Sequence, residues 1–153
     1  MLVDSHCHLD FPDFSEELPQ VIERAENAGI GRMVTICTRI RKFPQILAVA
    51  ERFENVFCSV GTHPHNAHEE LDISAEEIFD HSDHPKVVAI GEAGLDYYYQ
   101  KDHAVAQAQG LRNHIIAARE TGLPLVIHSR DADEPFCIEQ EAKCYDWTEN
   151  PEF

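Results

Sequence analysis

A chain of 153 residues, 43% hydrophobic and 26% charged, suits one globular domain and can bury a sizeable core. Its formal net charge of −16 excludes the broad basic footprint of a protein that coats nucleic acid. It does not exclude a phosphodiester held through metal ions, which can be the largest charges in a site.

No apolar run approaches the ~20 residues of a membrane span, and the start Met1-Leu2-Val3-Asp4 lacks a basic stretch followed by an apolar one. The five cysteines (Cys7, Cys37, Cys58, Cys137 and Cys144) are scattered and form no CxxC pair, so a thiolate zinc site is not expected and the expected location is the cytoplasm.

The first predicted strand carries Val3-Asp4-Ser5-His6-Cys7-His8-Leu9-Asp10. Side chains alternate faces along a strand, so His6 and His8 point the same way, about 6.6 Å apart. Two imidazoles converging from one strand end make half of a site for zinc or another divalent metal. Asp4 and Asp10 are placed to orient their rings. The motif is short, and its weight depends on partners elsewhere in the chain.

Ser15 predicts a cap for a helix over 16–28, with Leu18, Val21, Ile22 and Ala25 as its apolar stripe and Gly29 as its stop. A short buried strand over 32–37 leads into a basic loop over 38–42. The next helix has Pro44 near its first turn and Ile46, Leu47, Val49, Ala50 and Phe53 inward. The third strand, 56–60, ends in Gly61-Thr62-His63-Pro64-His65. Ser74 and Glu77 then spell a capping box for a helix to about His81. The fourth strand, 87–92, leads into Ala93-Gly94-Leu95-Asp96-Tyr97-Tyr98-Tyr99. A long helix over 104–121 stops at Gly122, and a fifth strand over 123–128 is followed by Ser129-Arg130-Asp131.

Near-continuously apolar strands alternating with helices predict an α/β fold with a parallel sheet covered on both faces. His6 and His8 close the first strand, His63 and His65 follow the third, Glu92 closes the fourth and His128 the fifth. All fall at carboxyl ends of parallel strands, where barrels and open α/β sheets carry their active sites. The four metal-type residues among them, His6, His8, Glu92 and His128, together favour a metal centre over unrelated polar residues.

DSHCHLD at 4–10, GTHPH at 61–65, GEAGLDYY at 91–98 and LPLVIHSRDAD at 123–133 resemble the TatD family of metal-dependent hydrolases, within the amidohydrolase-type TIM-barrel superfamily. The resemblance covers about residues 1–133. It implies a parallel-strand barrel and makes His6, His8, Glu92 and His128 metal ligands, with Glu92 bridging two divalent ions (magnesium, manganese or zinc). Glu92 and His128 are the implied catalytic residues. The implied reaction is phosphodiester hydrolysis, typically of DNA, with single-stranded ends as the expected nucleic-acid partner. Some members are instead associated with removing D-amino acids from transfer RNA.

In that setting His63, His65 and Arg130 are candidates for contacting phosphate, Arg39, Arg41 and Lys42 for contacting the nucleic-acid backbone, and Tyr97 and Tyr98 for stacking on bases.

A (β/α)₈ barrel takes about 250 residues, and only about five of eight βα units are legible here. The family's further ligands, a histidine on strand six and an aspartate on strand eight, have no counterpart. Residues 134–153 read as a divergent tail with weak helical character over 134–144, so the sequence is expected to be a truncated or frame-shifted member whose nuclease activity is impaired by the truncation. Two other readings stand beside a nuclease. One is an inactive metal-binding fragment. The other is an amidohydrolase-type enzyme acting on a C–N or ester bond, such as a D-aminoacyl-tRNA deacylase; against C–N chemistry, Glu92 stands where many such enzymes carry a carboxylated lysine.

Overall fold

Five strands and four α-helices alternate in the computed structural model, which describes residues 1–132. They are β1 (Leu2–Cys7), α1 (Leu18–Asn27), β2 (Ile30–Thr35), α2 (Phe43–Arg52), β3 (Val56–Val60), α3 (Ala75–Ser82), β4 (Val87–Asp96), α4 (Ala104–Thr121) and β5 (Leu125–Arg130). The strands are parallel and lie in the order β1-β2-β3-β4-β5. Each strand pairs with its sequence neighbours, as in the expected barrel fold. The tail over 134–153, with its expected helical character, lies outside the described residues. No helix among the described residues is long and apolar enough to cross a membrane.

Local chemistry explains where elements start and stop. The Ser74 hydroxyl accepts the Glu77 N–H at 3.1 Å and caps α3. Gly122, at φ 71°, closes α4 by donating its N–H to the Ala118 carbonyl. The expected Ser15 cap does not form. The Ser15 hydroxyl instead donates to the Pro12 carbonyl at 2.7 Å beside a short 3₁₀ turn, and α1 begins two residues later than expected, at Leu18. β5 begins at Leu125 rather than Leu123, because Pro124 has no N–H for the ladder. β2 runs from Ile30 rather than Arg32. β4 does not stop at Glu92 but continues to Asp96.

The core fills the space between the sheet and the helices on its outer face. Ile22, Met33, Cys37, Ile46, Ala50, Val56, Cys58, Val60, Ile78, Val87 and Ala117 belong to it. Burial pushes the thiols of Cys7, Cys37 and Cys58 up to about 12, so they act as small apolar groups. Ile36 and Ile90 are fully buried, while Val34 and Val88 are half-buried. The sheet's edge strands expose Val3 on β1 and Ile127 on β5.

Two contacts pull the carboxyl ends of the strands together. A Cβ on Gly61 would lie 2.5 Å from the Gly91 Cα, so β3 and β4 pass at backbone contact. A Cβ on Gly94 would lie 1.9 Å from the carbonyl oxygen of His128, its partner in the β4–β5 register.

Beneath the loops, the buried Glu70 carboxylate accepts the N–H groups of Ile40 and Arg41, each at 3.0 Å, and the Thr62 hydroxyl. Thr62 N–H in turn donates to His114 Nε2 at 2.9 Å. The loops after β2 and β3 are thereby fixed to one another and to α4.

Candidate metal centre

Glu92 sits at the centre of the converging strand ends. Its Oε2 lies 3.4 Å from His6 Nε2, and its Oε1 lies 3.3 Å from His128 Nδ1. One carboxylate therefore faces histidines from β1 on one oxygen and from β5 on the other. Two groups have ligand atoms all within 4.8 Å of one another: His6, His8 and Glu92, and His63, Glu92 and His128. The four residues singled out as ligands thus meet in one small volume, and His63 joins them.

The rings around Glu92 form a directional hydrogen-bond chain. Asp96 is fully buried, and its Oδ2 lies 2.7 Å from His65 Nε2 and 3.0 Å from His128 Nε2. Burial raises the Asp96 pKa, but the Tyr99 N–H and the two histidines outweigh that and pull it down to about 2. An ionised carboxylate only accepts, so both Nε2 atoms carry protons. With its Nε2 proton committed to Asp96, His128 presents Nδ1 toward Glu92 and His63.

His63 Nδ1 accepts the His65 backbone N–H at 3.2 Å, which leaves its proton on Nε2, 3.2 Å from His128 Nδ1. Burial, with His128 and His65 as chargeable neighbours, pushes His63 down to about 3, so it stays neutral.

The donor set fits divalent metal. Imidazole nitrogens and carboxylate oxygens suit zinc and manganese. His8 Nδ1 and Asp10 Oδ1 are buried with no hydrogen-bond partner among the described residues, an arrangement that costs free energy unless something else satisfies them. His8 is held by stacking on Phe11, at 4.7 Å and 18°. Asp4, expected to orient a ring, instead accepts the His6 backbone N–H through Oδ1 at 3.2 Å.

The rim differs from expectation at three places. Arg39 is paired with Glu69 at 3.0 and 3.3 Å, and Arg41 with Asp72, so each guanidinium already has an exposed carboxylate partner. Of the three consecutive tyrosines, Tyr98 and Tyr99 are exposed, whereas Tyr97 is half-buried. Arg130 stacks over the Tyr99 ring at 5.2 Å, and that ring lies 5.6 Å from His65. Arg130 and His65 thus both contact the exposed Tyr99 ring.

Asp96 is the site residue that sequence reasoning misses. Its signal is the period of two: Glu92, Gly94 and Asp96 lie on one face once β4 is continued through the glycines.

Residues 3–145 match the family described as TatD related DNase. An uncharacterized metal-dependent hydrolase of Bacillus subtilis, YabD, is 36% identical over 137 residues, covering 88% of this chain and 52% of the relative. A protein of Enterobacter lignolyticus named 3′-5′ ssDNA/RNA exonuclease TatD is 32% identical over 135 residues, covering 88% and 52%. The crystal structure of YjjV, a TatD homolog from Escherichia coli, superposes with a TM-score of 0.79 at 32% identity, covering 86% of this chain and 51% of that one. The chain spans about half the length of the curated relatives it matches.

Proposed function

The chain belongs to the TatD family of metal-dependent hydrolases, and from its site we propose that it acts on phosphodiester bonds at single-stranded DNA ends, using two divalent ions. The observation that carries this reading is the position of Glu92, with one carboxylate oxygen toward His6 and the other toward His128. His6 and His8 would hold one ion and His128 Nδ1 the other, with Glu92 shared. Magnesium, manganese or zinc bound there supplies an acidified water near neutral pH and positive charge against the developing negative charge on phosphate.

The protein's own groups divide the remaining work. The His63 Nε2 proton is directed at His128 Nδ1 in the metal-free chain; an ion on that nitrogen would free it to donate to a phosphate oxygen. His65 has its ring proton engaged by Asp96 and acts by orienting His63 through its backbone N–H. Arg130, paired with Asp96 in the β4–β5 register, offers a fork of donors to a phosphate. With a net charge of −16, binding of a polyanion should rest on the metals and these few groups rather than on long-range attraction. The name of the Enterobacter lignolyticus relative supports the substrate class.

The test is metal removal and return. After chelation and dialysis the chain should not shorten an end-labelled single-stranded oligonucleotide, and added Mn²⁺ should restore shortening. Cleavage that persists in excess chelator, or Mn²⁺-dependent hydrolysis of an aminoacyl ester with no cleavage of the oligonucleotide, would sink the nuclease reading.

A further inference from the structure

Asp96 is built into the fold more firmly than any group that faces the centre. It is fully buried at the end of β4. Its Oδ1 accepts the N–H groups of Tyr98 and Tyr99 at 3.1 and 2.9 Å. Its own peptide is clamped by the buried Gln107 of α4: Gln107 Oε1 accepts the Asp96 N–H at 2.8 Å, and Gln107 Nε2 donates to the Asp96 carbonyl at 3.0 Å. All this anchoring leaves one atom, Oδ2, directed at two imidazole N–H groups, those of His65 and His128.

We propose that Asp96, clamped by Gln107, is the positioning residue of the second half of the centre, holding His128 so that Nδ1 is its metal-binding atom and holding His65 beside it. This rests on the metal-centre reading above and adds a division within it. The His6–His8 position has no contact with Asp96 among the hydrogen bonds of the described residues, whereas the Glu92–His128 position depends on it. Loss of Oδ2 should therefore weaken one metal position and spare the other. A carboxylate that accepts from a ligating imidazole raises the basicity of the ring and fixes its tautomer and orientation, and removing such a partner costs about 10–100-fold in metal affinity.

Asp96→Asn is the informative change, because Asn retains an oxygen for the Tyr98 and Tyr99 N–H groups but presents an NH₂ where two ring N–H groups point. Mn²⁺ titration by calorimetry and by electron paramagnetic resonance on the full chain should show two binding events in the parent. In Asp96→Asn one event should weaken about 10–100-fold and the other should stay unchanged. Equal weakening of both, or of neither, overturns the proposal.

A parent chain that binds no Mn²⁺ defeats the metal-centre reading itself, and a second measurement then decides this one. In the metal-free parent, ¹⁵N-histidine NMR should show the His128 Nε2–H proton shifted downfield and protected from exchange, as a bond to a buried carboxylate requires. A fast-exchanging proton or the opposite tautomer overturns the proposal, including when Asp96→Asn fails to fold.

Discussion

Replacing Glu92 by Gln is expected to lower Mn²⁺-dependent cleavage of a single-stranded oligonucleotide by more than about 100-fold, beyond the range seen when a partner that merely orients a ligand is lost. The side chain keeps its size, so packing among the strand ends is conserved. What disappears is the negative charge and one of the two oxygens that face His6 and His128. The amide nitrogen that replaces it directs N–H groups at an imidazole nitrogen or at a metal, both unfavourable. Initial rates at saturating Mn²⁺, set beside a urea melt of the same preparation, separate this effect from unfolding. A rate within about tenfold of the parent, the smaller end of an orienting effect, would mean that Glu92 is not shared by two ions.

The second large effect is on stability. Gly94→Ala should destabilise the chain by about 1–3 kcal/mol, the range for inserting a methyl group into a space already filled. The added Cβ would sit 1.9 Å from the His128 carbonyl oxygen, an atom of the neighbouring backbone that can move away only by separating β4 from β5. That separation would also carry His128 away from Glu92 and Asp96, so the urea midpoint and the affinity for Mn²⁺ should fall together. An unchanged midpoint would show that β5 does not approach β4 as described.

Much of the fold and the site is legible in the sequence, for reasons that can be traced to residues. α4 ends where it should because Gly122 supplies the left-handed stop, and β3 is a short apolar run with nothing to blur its bounds. The convergence of His6, His8, Glu92 and His128 comes from one rule, that parallel strands present their last residues to a common face. The sequence misleads where side chains take partners that the linear pattern does not signal. Ser15 resembles a helix cap, but a carbonyl three residues back takes its hydroxyl. Arg39 and Arg41 resemble open cations, but Glu69 and Asp72 lie 30 and 31 residues further on and meet them only in the fold.

The largest omission has a physical cause too. Gly91 and Gly94 signal a loop in a linear reading, whereas here they are glycines because two strands touch. Ending β4 at Glu92 hides the continuation that places Asp96 under His65 and His128. Gln107, an unremarkable polar residue in a helix, can be recognised only from the peptide it clamps.

The claim on which everything else depends is that Glu92 joins two metal positions. Anomalous diffraction from crystals soaked in Mn²⁺ tests it most directly. Two peaks are expected, both in contact with Glu92, one also touching His6 and His8 and the other touching His128 through Nδ1. A single ion that leaves one of the two histidine sets without a metal, or peaks that lie away from Glu92 altogether, would contradict it.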